Sequence, residues 1–198
     1  MPAVDAVVLD LGNVLVFHDD QVLWQALAGL GGKKPEEVRE KLGGLWDPCN
    51  RGHLAGDELR RAVCATAGIE LEADAFRDLW NCHFRFHDEV LPLVESLIGR
   101  VKVLLLSNTN ATHLDWIRAR LPLLDRFDGL VLSYQVGVAK PDPAIFRRAL
   151  EMAGTSAERT AFFDDVEAYV KAASALGLRG HVFTDAAAFR RQLAGLGL

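Results

Sequence analysis

The sequence predicts an α/β protein, a doubly wound parallel sheet with a small α-helical segment inserted after its first strand. Short unbroken apolar runs, such as Ala6-Val7-Val8-Leu9 and Val103-Leu104-Leu105-Leu106, read as strands buried on both faces. Beyond residue 89, helical patterns alternate with such runs at the spacing of β-α units, which favours parallel strands and right-handed crossovers. Roughly 90 residues separate the first two runs, where a parallel crossover needs about a dozen. Something is therefore inserted between them.

The first strand covers residues 5–10, and 12–17 continue as a turn and a short extended flap. The insertion, 18–88, reads as helical. Val22, Leu23, Ala26, Leu27 and Leu30 form one stripe, stopped by Gly31-Gly32. Leu59, Ala62, Val63, Thr66 and Ala67 form a second, before Gly68, and Phe76, Leu79, Trp80, His83 and Phe84 a third. The connections to the core fall near His18 and His87, leaving a core of 1–17 and 89–198. After the insertion the expected order is helix 89–99, strand 101–106, helix 111–120, strand 129–133 and helix 143–153. Strand 160–164, helix 166–176, strand 180–184 and helix 186–195 complete it.

Composition limits the function classes. Half of the 198 residues are hydrophobic and 25% charged, ordinary for a soluble chain able to bury a core. A net charge of −5 without a basic stripe excludes nucleic-acid binding by bulk electrostatics. Cys49, Cys64 and Cys82 have no metal-ligand spacing and read as reduced thiols, so a cytoplasmic location is expected. Asp5 and Asp10 interrupt the N-terminal apolar stretch, which does not read as a signal peptide. No run approaches the ~20 apolar residues of a membrane span, and no membrane partner is expected.

Polar residues close several of the apolar runs. Asp10 ends the first strand, and the carboxyl edge of such a sheet is where open α/β proteins bind ligands. Ser107-Asn108-Thr109-Asn110 ends the second, offering a hydroxyl and backbone N–H groups at a helix start, a setting for an anion. Thr109 or Asn110 also suits an N-cap. Lys140 lies before Pro141, which disfavours a helical conformation there, and Asp142-Pro143 starts a helix, so an ordered loop presents the ammonium. Asp164-Asp165 ends the fourth strand. Adjacent acids on the edge that also carries Asp10 repel one another unless a cation is present, and hard carboxylates without His or Cys suit Mg²⁺.

In this order and spacing the four elements resemble those of the haloacid dehalogenase (HAD) superfamily, over essentially the whole chain. The forms Asp10-Leu11-Gly12-Asn13-Val14, Ser107-Asn108-Thr109-Asn110 and Phe163-Asp164-Asp165 are similar to a bacterial branch that includes sugar-phosphate phosphatases. The resemblance implies a HAD-type Rossmannoid core with a type-one helical cap, and a Mg²⁺-dependent phosphatase of small phosphomonoesters, acting as a monomer or weak dimer. It implies that Asp10 is the nucleophile, forming an aspartyl phosphate. Mg²⁺ would be held by Asp10, the Gly12 carbonyl, Asp164 and Asp165. Ser107 and Asn108 would bind phosphoryl oxygens, and Lys140 would neutralise charge.

One position departs from the pattern. Most phosphatases of the superfamily carry a second aspartate two residues after the nucleophile, as general acid and base, and here that position is Gly12. Losing such a group typically costs about 10²–10⁴ in rate. Histidines are the candidate substitutes. His18 and His87 lie at the two connections, His53 precedes a helix of the insertion, and His83 on its apolar stripe suits a satisfied core histidine. Arg51 is a candidate for a second anionic or hydroxyl group of the substrate. Three other readings stay open: a non-catalytic phospho-ligand sensor, a phosphotransferase, and a phosphonatase using a lysine of the insertion. Lys33 and Lys34 sit in a polar loop with nothing to depress a lysine pKa, against the last.

Overall fold

A computed structural model of the protein describes residues 4–198; positions 1–3 of the expected core lie outside them. In chain order, β1 (Ala6–Leu9) leads through a tight turn to β2 (Val16–His18). Five helices follow: α1 (Asp20–Gly31), α2 (Pro35–Leu42), α3 (Trp46–Asn50), α4 (Gly56–Ala67) and α5 (Ala73–Trp80). The chain returns through β3 (Phe84–Phe86) to α6 (Leu91–Glu95), β4 (Lys102–Ser107), α7 (Ala111–Arg118) and β5 (Gly129–Leu132). Then come α8 (Ser133–Val136), α9 (Pro143–Ala153), β6 (Thr160–Asp164), α10 (Glu167–Ala175), β7 (Arg179–Val182) and α11 (Ala186–Gly195).

Five parallel strands form one sheet in the order β5-β4-β1-β6-β7. Successive residues of a strand point to opposite faces. Val7, Leu9, Val103, Leu105 and Phe163 accordingly pack into one apolar cluster, and Ala6, Val8, Leu104, Leu106 and Phe162 into another. Burial on both faces is what the unbroken apolar runs require. β1 is central, and Leu9 is in register with Leu105 on one side and Phe163 on the other. The same register brings Asp10 beside Asp164.

The inserted helices bury a cluster of their own, around Leu23, Leu27, Leu59, Val63, Phe76 and Trp80. Asp19 caps α1, accepting from the Gln21 N–H. Glycines in the left-handed region end α1 and α4, at Gly32 and Gly68. The two connections to the core pair with each other as an antiparallel ribbon, with Val16 opposite Phe86 and His18 opposite Phe84.

The elements differ from expectation in three places. The third helical stripe stops at Trp80, because Asn81 turns its amide back on the Arg77 carbonyl at 2.6 Å and the next residues enter the ribbon. His83 and Phe84 are therefore not helical. The helix expected at 89–99 shortens to α6, begun by Pro92, and the chain turns at Gly99 (φ 81°). α2, α3 and α8 are additional; α2 carries Pro35 at its first turn, acids Glu36 and Glu37 next, and Arg39 and Lys41 in its last.

Candidate active site

Parallel strands all end on one edge, so the sheet gathers Asp10, Ser107 and Asp164 without help from any one loop. Lys140 joins them from the loop before α9. Its ammonium lies 2.7 Å from Asp10 Oδ1 and 2.6 Å from Asp164 Oδ2. All three are buried, with exposures of 4% for Lys140, 7% for Asp10 and none for Asp164. The Tyr169 ring centroid lies 5.1 Å from the ammonium, a cation–π contact on its flank.

Asn108 holds this lysine in place. Its amide accepts from the Lys140 N–H at 2.7 Å and donates to the Lys140 carbonyl at 2.9 Å, locking the loop against β4. Thr109 is tied to Ser133 in the same way, its N–H donating to the hydroxyl at 3.0 Å. Asn110 caps α7, accepting from the His113 N–H.

Burial governs the electrostatics. It raises the pKa of Asp164 to about 6 with help from Asp10, against the pull of Lys140. Asp10 shifts upward for the same reason, burial outweighing Lys140. For Lys140, burial works against the charged form, but Asp10 and Asp164 outweigh it and raise the pKa, so the ammonium persists. One oxygen from each of Asp10, Asp164 and Asp165 lies within 4.8 Å of the others. This compact set of hard oxygens, with no nitrogen or sulfur donor, fits a small divalent cation such as Mg²⁺.

After Asp10 the chain turns sharply, with the Leu15 and Val16 N–H groups both donating to the Leu11 carbonyl. Asn13 sits in the left-handed region (φ 53°), where Asn is tolerated, and its amide donates to Asp165 Oδ2 at 2.9 Å. The turn delivers His18 to Gly12. A Cβ placed on Gly12 would lie 3.3 Å from His18 Nε2 and 4.0 Å from Asp10 Oδ2. The other ring nitrogen, Nδ1, is 3.3 Å from Asp20 Oδ1. That hydrogen bond raises the His18 pKa above its ordinary value, against burial.

A cavity of about 350 Å³ opens beside Gly12 and Ser107. His18 and Asp20 line one part, and Trp46, His83, Phe84 and His113 another. Arg51 and His87 are not brought to it. Arg51 pairs with Asp47 at 2.8 Å, and His87 stacks on Phe17 with centroids 4.2 Å apart. His53 does not line it either. His83 is buried and neutral, its pKa lowered by burial to about 4, and it lines the cavity with Nε2 3.9 Å from Asp20 Oδ1. Lys33 is committed to the Thr66 carbonyl at 2.6 Å. Asn13, Asp20, Trp46 and His113 escaped sequence reasoning. Asp20, two residues from His18, and Asn13, inside the stretch that follows Asp10, left a local signal; Trp46 and His113 reach the site through packing with no spacing to mark them.

The fold and site define an α/β protein with a carboxylate–ammonium–carboxylate centre at the carboxyl edge of its sheet. Residues 4–177 match the model of the haloacid dehalogenase-like hydrolases, and the chain belongs to that family. It is 30% identical to a D-ribitol-5-phosphate phosphatase of Bacteroides thetaiotaomicron, over 94% of this chain and 95% of that one. It is also 30% identical to a sesquiterpene phosphatase of Aspergillus oryzae, over 96% of each. Among solved structures, a HAD family enzyme of B. thetaiotaomicron in complex with magnesium and inorganic phosphate superposes with a TM-score of 0.83. It is 28% identical, over 92% of this chain and 95% of that one. No helix among the described residues is long and apolar enough to cross a membrane.

Proposed function

We propose that this hydrolase is a Mg²⁺-dependent phosphatase of small phosphomonoesters, sugar phosphates among them, working through an aspartyl phosphate on Asp10. The observation that carries the reading is the buried Asp10–Lys140–Asp164 centre with Asp165 beside it. Asp10, Asp164, Asp165 and the Gly12 carbonyl would hold Mg²⁺, which when bound neutralises charge on the phosphoryl group and the carboxylates.

Asp10 attacks phosphorus, and the bond to the leaving-group oxygen breaks as the new P–O bond forms. The Ser107 hydroxyl and the Asn108 N–H donate to phosphoryl oxygens, and Lys140 offsets the charge that gathers between them and Asp10. His18 acts in place of the aspartate absent at Gly12. Its location against Gly12 supports this, as does Asp20, a positioning residue that holds Nδ1 and turns Nε2 toward Gly12, where the Asn13 amide nitrogen lies 3.5 Å from it. Nε2 gives its proton to the departing oxygen. It then takes one from the water that attacks phosphorus, releasing inorganic phosphate and restoring Asp10. Residues 18–88 serve as the cap that excludes water, moving on the paired ribbon of β2 and β3.

Phosphate release from sugar and nucleotide monophosphates, with and without Mg²⁺, tests the reading. Release that depends on the metal and is lost in Asp10→Asn is expected. Release that survives in that variant would sink the mechanism. Tight phosphate binding with no turnover of any substrate would favour a sensor, with Gly12 as the reason.

A further inference from the structure

We infer that His113 selects the leaving group, as a fixed hydrogen-bond acceptor for a hydroxyl on an uncharged, hydroxylated substrate. The inference rests on the phosphatase reading above and names the substrate class of that site.

The orientation of His113 follows from its neighbours. The Arg77 carbonyl can only accept, so the Asn81 atom facing it at 2.6 Å is the amide nitrogen. Asn81 Oδ1 therefore faces His113, and at 2.7 Å it requires a proton on His113 Nδ1. Burial lowers the His113 pKa to about 3, with the nearby His83 adding to it, so the ring is neutral and Nε2 carries no proton. Trp80 lies parallel to the ring, with centroids 5.7 Å apart and planes 4° apart, and holds its plane, while the Asn81 bond fixes which edge carries Nδ1. The residue is buried and lines the cavity beside Ser107. Among the described residues Nε2 has no hydrogen-bond partner, and it is the acceptor the cavity receives.

The remaining lining restricts the ligand further. It includes the Asp20 carboxylate and no lysine or arginine, and its one raised histidine, His18, is already paired with Asp20. A second phosphate or a carboxylate on the leaving group would therefore meet a like charge without a cation of its own. Trp46 and Phe84 add apolar aromatic surface for the C–H side of a carbon chain or sugar ring. An alkyl or terpenoid group would fit that surface but would bury Nε2 unpaired. Loss of such a bond corresponds to roughly 10- to 100-fold in kcat/KM.

The test compares a pentitol 5-phosphate and a hexose 6-phosphate with n-pentyl phosphate, using the whole enzyme with Mg²⁺. Preference for at least one hydroxylated ester over pentyl phosphate by about tenfold or more is expected. In His113→Phe that ratio should collapse toward one, mainly through KM. A merely structural histidine would lower both activities and leave the ratio intact. Equal use of pentyl phosphate by the unmodified enzyme, or a ratio that survives the substitution, overturns the inference while leaving the phosphatase reading standing. No Asp10-dependent release from any of the three, nor from p-nitrophenyl phosphate, overturns both. Long-range ¹⁵N–¹H spectra of the unmodified protein give an independent check. His113 protonated at Nδ1 alone is expected, and a proton on Nε2 refutes the assignment.

Discussion

Replacing Lys140 by Met removes one ammonium from between two buried carboxylates and leaves the apolar stem nearly unchanged. Each contact, at 2.6–2.7 Å, corresponds to roughly 6 kcal/mol of attraction at an effective dielectric of ~20, before desolvation is subtracted. Most of that is offset by the cost of burying three charges. Taking away only the cation forfeits the attraction and keeps the burial of Asp10 and Asp164, a loss of about 3–5 kcal/mol. For a protein of this size each kcal/mol moves the midpoint of thermal unfolding by about 2–4 °C, so a fall of roughly 6–20 °C is expected. The assay is calorimetric unfolding in EDTA and again in saturating Mg²⁺. The metal should stabilise the variant more than the parent, because Asp10, Asp164 and Asp165 then regain a positive charge, and the gap should narrow. A midpoint within 2 °C of the parent in EDTA, or a gap that widens with Mg²⁺, would refute the reasoning. Turnover should be lost under both conditions.

Gly12→Ala places a methyl 3.3 Å from His18 Nε2, at a position outside the left-handed region, so the chain should fold normally and displace the imidazole by a few tenths of an ångström. Turnover should fall about 10- to 100-fold with little change in midpoint, and steady-state kinetics beside thermal unfolding check this. Acidification should remove the stability that two buried neutral histidines contribute. Unfolded histidine takes up a proton near pH 6.5, whereas buried His83 and His113 refuse it until about 4 and about 3. The unfolded state then binds more protons, and stability drops at up to ~1.4 kcal/mol per pH unit for each histidine on going below pH 6.5. His18 and Asp20 face the same pair, but His18, with its raised pKa, is protonated in both states below that pH and adds no slope there. The raised carboxylates of Asp164 and Asp10 take up protons in the folded state and oppose this slope, and His87 and His181, lowered by burial, add to it. The readout is therefore the difference between proteins: in urea unfolding between pH 7 and 5 the parent should lose more stability than His113→Phe, by about one proton's share. Trp80→Ala empties a fully buried site between Phe76 and His113, and a loss of about 3–5 kcal/mol in urea unfolding is expected.

By itself the sequence determined the parallel sheet and the residues at its carboxyl edge. The reason is local. A strand buried on both faces must be apolar throughout, so a polar residue closing it marks the edge, and parallel strands share one edge. Asp10, Ser107 and Asp164 were legible on that ground, and Lys140 through its Pro-Asp-Pro setting. The insertion was legible as an overlong connection, although α2 and α3 were missed and the third stripe was carried past Trp80 into a strand. Periodicity does not register a side chain that bonds its own helix carbonyl, as Asn81 does. Only the tertiary structure decided which groups face the Asp10–Lys140–Asp164 cluster and the cavity beside it. His18 reaches Gly12 because two distant segments pair as a ribbon. His113 becomes an acceptor because Asn81, from the insertion, fixes its proton across 32 positions of sequence. Such contacts depend on the path of the chain between them, and no spacing within either segment encodes that path.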